Sequence, residues 1–225
     1  MSNVNVRHML ASFPRCVVSV VVVLSVLSFA SPALDNSPAT MTNDAAVAVE
    51  AYYHALTCLT AKVRQKNYFK SLDKTRIFEG TLAVKKPGRL RLDYTNGQTI
   101  VINGGEAWFY SKKNRQAIKR SFENFDRANI PVAFLLGAAT IRDDFDVAQP
   151  EPGRPRVLDL LPKRRGAAMK SLRLETDESG RITGLTIFAG SGDITDISFS
   201  DIREGGVVED DIFMFNVPEG TEVIE

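Results

Sequence analysis

Between residues 80 and 110 the sequence GTLAVKKPGRLRLDYTNGQTIVINGGEAWFY alternates apolar and polar positions and is cut by tight-turn residues. Leu82, Val84, Leu90, Leu92 and Tyr94 fall on one face, and Thr81, Lys85, Arg89, Arg91 and Asp93 on the other. That period of two is the mark of half-buried strands. Pro87-Gly88, Asn96-Gly97 and Asn103-Gly104-Gly105 supply residues that tolerate turn conformations, so the runs fold back on one another as antiparallel neighbours.

The same reasoning extends the pattern both ways. Asp44 is placed to cap a helix over residues 44–57, with Val47, Ala51, Tyr52, Tyr53 and Leu56 on its apolar stripe. A first strand is expected over 59–69, and a loop over 70–75 leads into the alternating stretch. The chain then turns at Asn114 and returns through Ala117 and Ile118. Five more strands are expected at 157–161, 171–176, 181–189, 194–202 and 212–217. Asn129, Pro131 and Gly137 frame the apolar run Val132 to Leu136 as a short helix, either sandwiched in a core or covering a greasy opening. The expected fold is mainly β with short α-helices, about ten antiparallel strands in a strongly curved sheet or open barrel.

The N-terminus follows a different pattern. Residues 16–30 are almost wholly apolar, behind Arg7 and Arg15, and small residues at Ala30 and Ala33 offer cleavage sites. This reads as a secretory signal peptide over 1–33, a flexible segment over 34–43 and one domain over 44–225. A membrane anchor is the alternative, but the apolar run is shorter than the ~20 residues a spanning helix needs. Removing 1–33 changes the net charge from +1 to −1, since Arg7 and Arg15 leave with no acid. A nucleic-acid partner is not expected without a basic surface. Cys58 is the one thiol left, so no internal disulfide is available and a soluble monomer is expected.

The residue inventory narrows the chemistry. His54 is the single histidine after position 33, and no G-x-S-x-G elbow surrounds any serine. One His and one Cys fall short of a zinc ligand set. Asp143, Asp144 and Asp146, and Glu209, Asp210 and Asp211, lack the spacing of a calcium loop and read as solvated turns. Neither catalysis nor a cofactor is expected. The pattern points to binding.

Four stretches in order carry a family likeness: an early helix ending near Leu59-Thr60-Ala61, GTLAVKKPGRLR at 80–91, VING at 101–104 followed by Trp108-Phe109-Tyr110, and the closing FMFNVPEG at 213–220. Together they resemble the periplasmic outer-membrane lipoprotein carriers, the LolA-like family. The resemblance implies an incomplete antiparallel β-barrel, a half-barrel with a helical lid, enclosing a cavity for the acyl chains of a lipoprotein. It implies a cavity and lid made from Leu82, Val84, Leu90, Leu92, Tyr94, Trp108, Tyr110, Phe134, Leu135 and Leu136. It further implies a periplasmic location, acylated lipoproteins as cargo, an inner-membrane releasing transporter and an outer-membrane acceptor. Where that family typically carries an arginine that helps close the lid, this chain has Lys86, a compact charge on a flexible stem. A lipid- or lipoprotein-sensing regulatory domain on the same fold is the alternative reading.

Overall fold

The computed structural model describes residues 38–121, 141–148, 153–154, 156–163 and 169–225, with side chains from residue 45. Helix α1 (Pro38–Ala55) leads into β1 (Cys58–Phe69), a 3-10 turn (Lys70–Leu72) and β2 (Lys74–Lys85). The meander read from the sequence follows as β3 (Arg89–Tyr94), β4 (Gln98–Asn103), β5 (Glu106–Ser111) and β6 (Gln116–Ser121). A single-turn α2 (Ile141–Asp144) precedes β7 (Phe145–Ala148), β8 (Val157–Pro162), β9 (Met169–Thr176), β10 (Ile182–Ala189) and β11 (Ile194–Glu204). A second 3-10 turn (Asp211–Phe213) and β12 (Glu222–Ile224) complete the described elements.

The twelve described strands form one sheet in the order β12-β6-β5-β4-β3-β2-β1-β11-β10-β9-β8-β7. The order is linear, with β12 and β7 at its two edges, so the sheet is open and unclosed. Every pairing is antiparallel except β12 with β6, which is parallel. That pair departs from the all-antiparallel expectation because β12 arrives after a long return across the sheet rather than through a hairpin.

Register makes the two faces chemically distinct. Leu82 pairs with Leu92 and Val84 with Leu90, and their partners across β1 and β4 include Ala61, Leu59, Ile100 and Ile102. These side chains share one face with the buried Leu158, Leu160, Leu172, Leu174, Ile182 and Leu185 from the other half of the sheet. The residues one position out of phase, such as Lys62, Thr81 and Arg91, occupy the opposite, outer face.

Helix α1 lies on the apolar face. Its buried residues Ala46, Val49 and Tyr53, with Leu56 just beyond, are spaced at three and four, one stripe of a helix. This differs from the stripe expected from sequence: Val47 and Ala51 are exposed. The helix also begins six residues before Asp44, so residues 38–43 are helical rather than a flexible lead-in. The turn between β9 and β10 is pressed against this helix so closely that a Cβ on Gly180, at φ +86°, would lie 2.4 Å from the Ala48 carbonyl oxygen. Only glycine fits there.

Two further expectations are corrected. The acidic stretch at 143–146 is not a free turn: it forms the end of α2 and the start of edge strand β7, with Ile141 and Phe145 buried. Residues 212–217 are not a strand. They run over the outer face, where Phe213 is buried, and the strand at this end is β12 instead. An apolar segment that lies on a sheet face carries the same composition as one that joins its edge, and composition was the sequence signal.

Candidate functional site

The apolar face has two parts that differ in exposure. Beside α1, Leu82, Val84, Leu90 and Leu92 are buried in a continuous core with Val49 and Tyr53. Farther along the same strands, Tyr94, Ile100 and Phe109, and across the sheet Ile187, Ile197 and Phe199, are packed against that core but only half buried. Of the expected wall residues, Tyr94 alone belongs to this second part. Its hydroxyl donates to the Gln65 side-chain carbonyl, its ring meets Phe78 edge-on at 6.0 Å, and burial pushes its pKa up to about 12. The phenol therefore stays neutral, as an apolar wall requires.

Trp108 and Tyr110 do not join this wall. Trp108 stands opposite Val101 and Tyr110 opposite Thr99, whereas Phe109 and Ala107 alternate onto the apolar face opposite Ile100 and Ile102. Both aromatic rings instead pack against Phe215 on the outer face, at 5.2 and 5.6 Å between centroids. Trp108 is further fixed by Lys119 above its ring at 5.3 Å and by its indole N–H donating to Glu106 at 3.2 Å. Three adjacent aromatics at 108–110 hide which parity faces inward, and the covering segment that makes the outer parity apolar lies a hundred residues away. Phe134, Leu135 and Leu136 lie outside the described residues.

Wall residues absent from the sequence reading come mainly from β4, β5, β10 and β11. The alternation of Ile197 and Phe199 with Ser198 and Ser200 was the available signal. It marks a strand with one apolar face but not how far that face is covered.

Lys86 is positioned by the turn between β2 and β3. Its backbone N–H donates to the Thr57 carbonyl at 2.8 Å, which ties that turn to the chain leaving α1. Its ammonium donates to the Tyr53 carbonyl, with the His54 carbonyl 3.4 Å away. The last carbonyls of a helix lack partners within it and carry the negative end of its dipole, so a cation there satisfies both needs. Partial burial lowers the Lys86 pKa from its ordinary value. The Tyr53 hydroxyl in turn accepts from the buried Ile182 N–H at 3.1 Å, and burial raises that phenol to about 12. One residue of α1 thus meets β10 through its side chain and the β2–β3 turn through its carbonyl. Farther up the helix, Glu50 accepts from the Arg142 guanidinium at 2.8 Å.

A separate cavity of about 540 Å³ lies on the outer face, lined by Thr60, Lys62, Thr81, Arg91, Asp93 and Ile212 among others. Two ion pairs line it, Lys62 with Asp201 at 2.6 Å and Arg91 with Asp93 at 2.5 Å. An acyl chain placed there would meet apolar groups such as Ala83 and Ile212 only at the cost of desolvating these ions. His54 is exposed on the last turn of α1, and Cys58 is buried with its thiol donating to the Gly206 carbonyl at 3.4 Å. No three His, Cys, Asp or Glu side chains among the described residues are grouped to hold a metal ion. Nor is any described helix long and apolar enough to cross a membrane.

The sequence is similar to those of curated proteins. An outer-membrane lipoprotein carrier protein of Nitrosomonas europaea is 28% identical over 160 residues, covering 69% of this chain and 76% of the relative. One from Legionella pneumophila strain Lens is 27% identical over 180 residues, covering 79% and 88%. Among solved structures, a DUF1329 family protein from Desulfovibrio piger superposes with a TM-score of 0.50 at 10% identity, over 79% of this chain and 98% of that one, a likeness of fold alone. The profile described as outer membrane lipoprotein carrier protein LolA matches residues 54–216, from the end of α1 to the segment that covers Trp108. With that match spanning most of its length, the chain belongs to the LolA family of outer-membrane lipoprotein carrier proteins.

Proposed function

We propose that this protein is a periplasmic carrier that shields the acyl chains of lipoproteins against the half-buried part of its apolar face, between an inner-membrane releasing transporter and an outer-membrane acceptor. The observation that carries this reading is the division of one continuous apolar face into a packed part under α1 and a half-exposed part made by Tyr94, Ile100, Phe109, Ile187, Ile197 and Phe199. Apolar side chains left partly accessible beside a packed core are the kind of surface a binding site uses, which supports this reading. Family membership supplies the cargo class. Residues 1–33 act in this reading as the export signal, with 44–225 as the carrier domain and α1 extending its N-terminal side.

The energetics suit reversible binding. Burial is worth about 0.8 kcal/mol per methylene, so shielding ten methylenes offers roughly 8 kcal/mol before any cost of opening. The link from Lys86 to the α1 carbonyls supplies such a cost: charge-assisted hydrogen bonds are worth about 1.5–3 kcal/mol each, less where water reaches them. The closed empty form regains that link when cargo leaves, which favours release. Phe134, Leu135 and Leu136 are proposed as further cover for the same surface.

The test is to recover the protein from the periplasm and identify co-purifying molecules by mass spectrometry. Acylated lipoproteins or their fragments are the expected result; recovery free of lipid, together with no displacement of an apolar dye by an acylated peptide, would reject the reading.

A further inference from the structure

The hairpin joining β1 and β2 carries a second kind of surface. Residues 74–78 of β2 lie beyond its pairing with β3, which spans Gly80 to Lys85 and is followed by the bond from the Thr95 N–H to the Glu79 carbonyl, so they have no strand partner on that side among the described residues. At its tip Leu72 is 61% exposed, and Ile77 on the outer face is 51% exposed. Around them stand Lys66, Lys70, Lys74 and Arg76, all exposed, and none of the four makes an ion pair among the described residues.

The nearby acids accept from neutral donors rather than from these cations. Asp73 accepts from the Tyr68 hydroxyl at 3.1 Å, and Asp193, from the turn between β10 and β11, accepts from the Lys70 backbone N–H at 2.9 Å. Asp196, which stands opposite Lys66, accepts from Thr186 at 2.9 Å. Arg76 lies over the Phe69 ring at 5.9 Å, which holds that cation beside an aromatic rather than a carboxylate. This end of the hairpin thus bears four cations, three carboxylates and two exposed aliphatic side chains: Lys66 shares the outer face with Ile77, and Lys74 and Arg76 have the opposite parity.

We infer that this hairpin tip docks on an anionic phospholipid surface, the cations meeting headgroup phosphates and Leu72 entering the interface. Unpaired lysines set around an exposed leucine match a surface that is negative outside and apolar just beneath. None of the four cations is held in an ion pair among the described residues, so each is free to meet a headgroup phosphate, and salt screens that attraction. This docking goes beyond the carrier reading and does not depend on what the apolar face holds.

Vesicle flotation of the full chain tests it, with phosphatidylcholine vesicles against the same vesicles containing phosphatidylglycerol, at low and high salt. Two variants are compared with wild type: Lys66→Gln/Lys70→Gln/Lys74→Gln, and Leu72→Trp. Any lipid affinity of the apolar N-terminal run is common to all three. Wild type should favour the anionic vesicles and lose that preference at high salt, and the triple variant should bind them about 100-fold more weakly, near fivefold per cation. Leu72→Trp should gain a blue-shifted emission with anionic vesicles alone. Equal binding by wild type and triple variant, an emission from Leu72→Trp that vesicles do not shift, or capture of an acidic protein by the tip with no anionic-vesicle preference would each overturn the inference. Circular dichroism of both variants, expected to match wild type at these exposed positions, confirms that folding is not the variable.

Discussion

The Lys86 ammonium donates to the backbone carbonyl of Tyr53, which joins the turn between β2 and β3 to the last turn of α1. The family's arginine at this place is implied to hold a lid; here a lysine reaches helix carbonyls, and the helix it reaches is α1. Lys86→Leu should take up an acylated peptide readily but pass it poorly to an acceptor, because the empty form no longer regains the link. Lys86→Arg should shift the balance toward the closed empty form, since its fork can hold both carbonyls together. Uptake and transfer assays on the three proteins check this, and three matching profiles would leave Lys86 as a helix cap only.

Tyr53→Phe removes the acceptor of the buried Ile182 N–H. An unsatisfied buried donor costs about 1–3 kcal/mol, which chemical denaturation should read directly. The phenol's pKa is raised in the folded state, to about 12 from 10.0, so its contribution is complete below pH 10 and is lost as pH rises through about 12. Wild type should therefore lose stability across that alkaline interval more steeply than Tyr53→Phe, with Tyr52, Tyr68 and Tyr94, whose pKa values are also raised, contributing to the slope in both.

The two parts of the apolar face should respond differently to mutation. Leu90→Ala empties a fully buried site and should cost about 2–5 kcal/mol. Phe199→Ser, at a half-buried position, should cost less stability yet weaken binding of an apolar dye or acylated peptide severalfold. If both variants changed stability alike and neither changed binding, the half-exposed surface would be ordinary core.

The meander was legible because its signals are local: Leu82, Val84, Leu90 and Leu92 alternate with charged residues, and each turn carries its own Gly or Asn. What depends on distant parts of the chain was not. Trp108 and Tyr110 are apolar on the outer parity because Phe215 covers them, and nothing within residues 106–111 reports that cover. Four-residue β7 is too short to show a period, and its acids resemble a turn. Helix α1 was placed late because Asp44 has the chemistry of a cap, while the helix runs through it from Pro38, a residue suited to a first turn. Lys86 was singled out by family likeness; which carbonyls it meets needed the fold.

Trp108 is the only tryptophan, so its emission reports the outer face. Phe215→Ala should red-shift that emission and destabilise the protein by about 1–3 kcal/mol, through lost aromatic contact and burial, while dye binding at the apolar face is unchanged. A fluorescence spectrum and a denaturation curve on one variant suffice; reduced dye binding at full stability would place Trp108 at the binding surface after all.

The central claim is that acyl chains lie on the half-exposed part of the apolar face. A synthetic lipopeptide with a photoreactive group at the end of its acyl chain, crosslinked to the protein and mapped by mass spectrometry, tests this most directly. The account predicts adducts on Ile100, Phe109, Ile187, Ile197 and Phe199. Adducts concentrated instead on the outer face, at Ile212, Phe215 or Trp108, would contradict it.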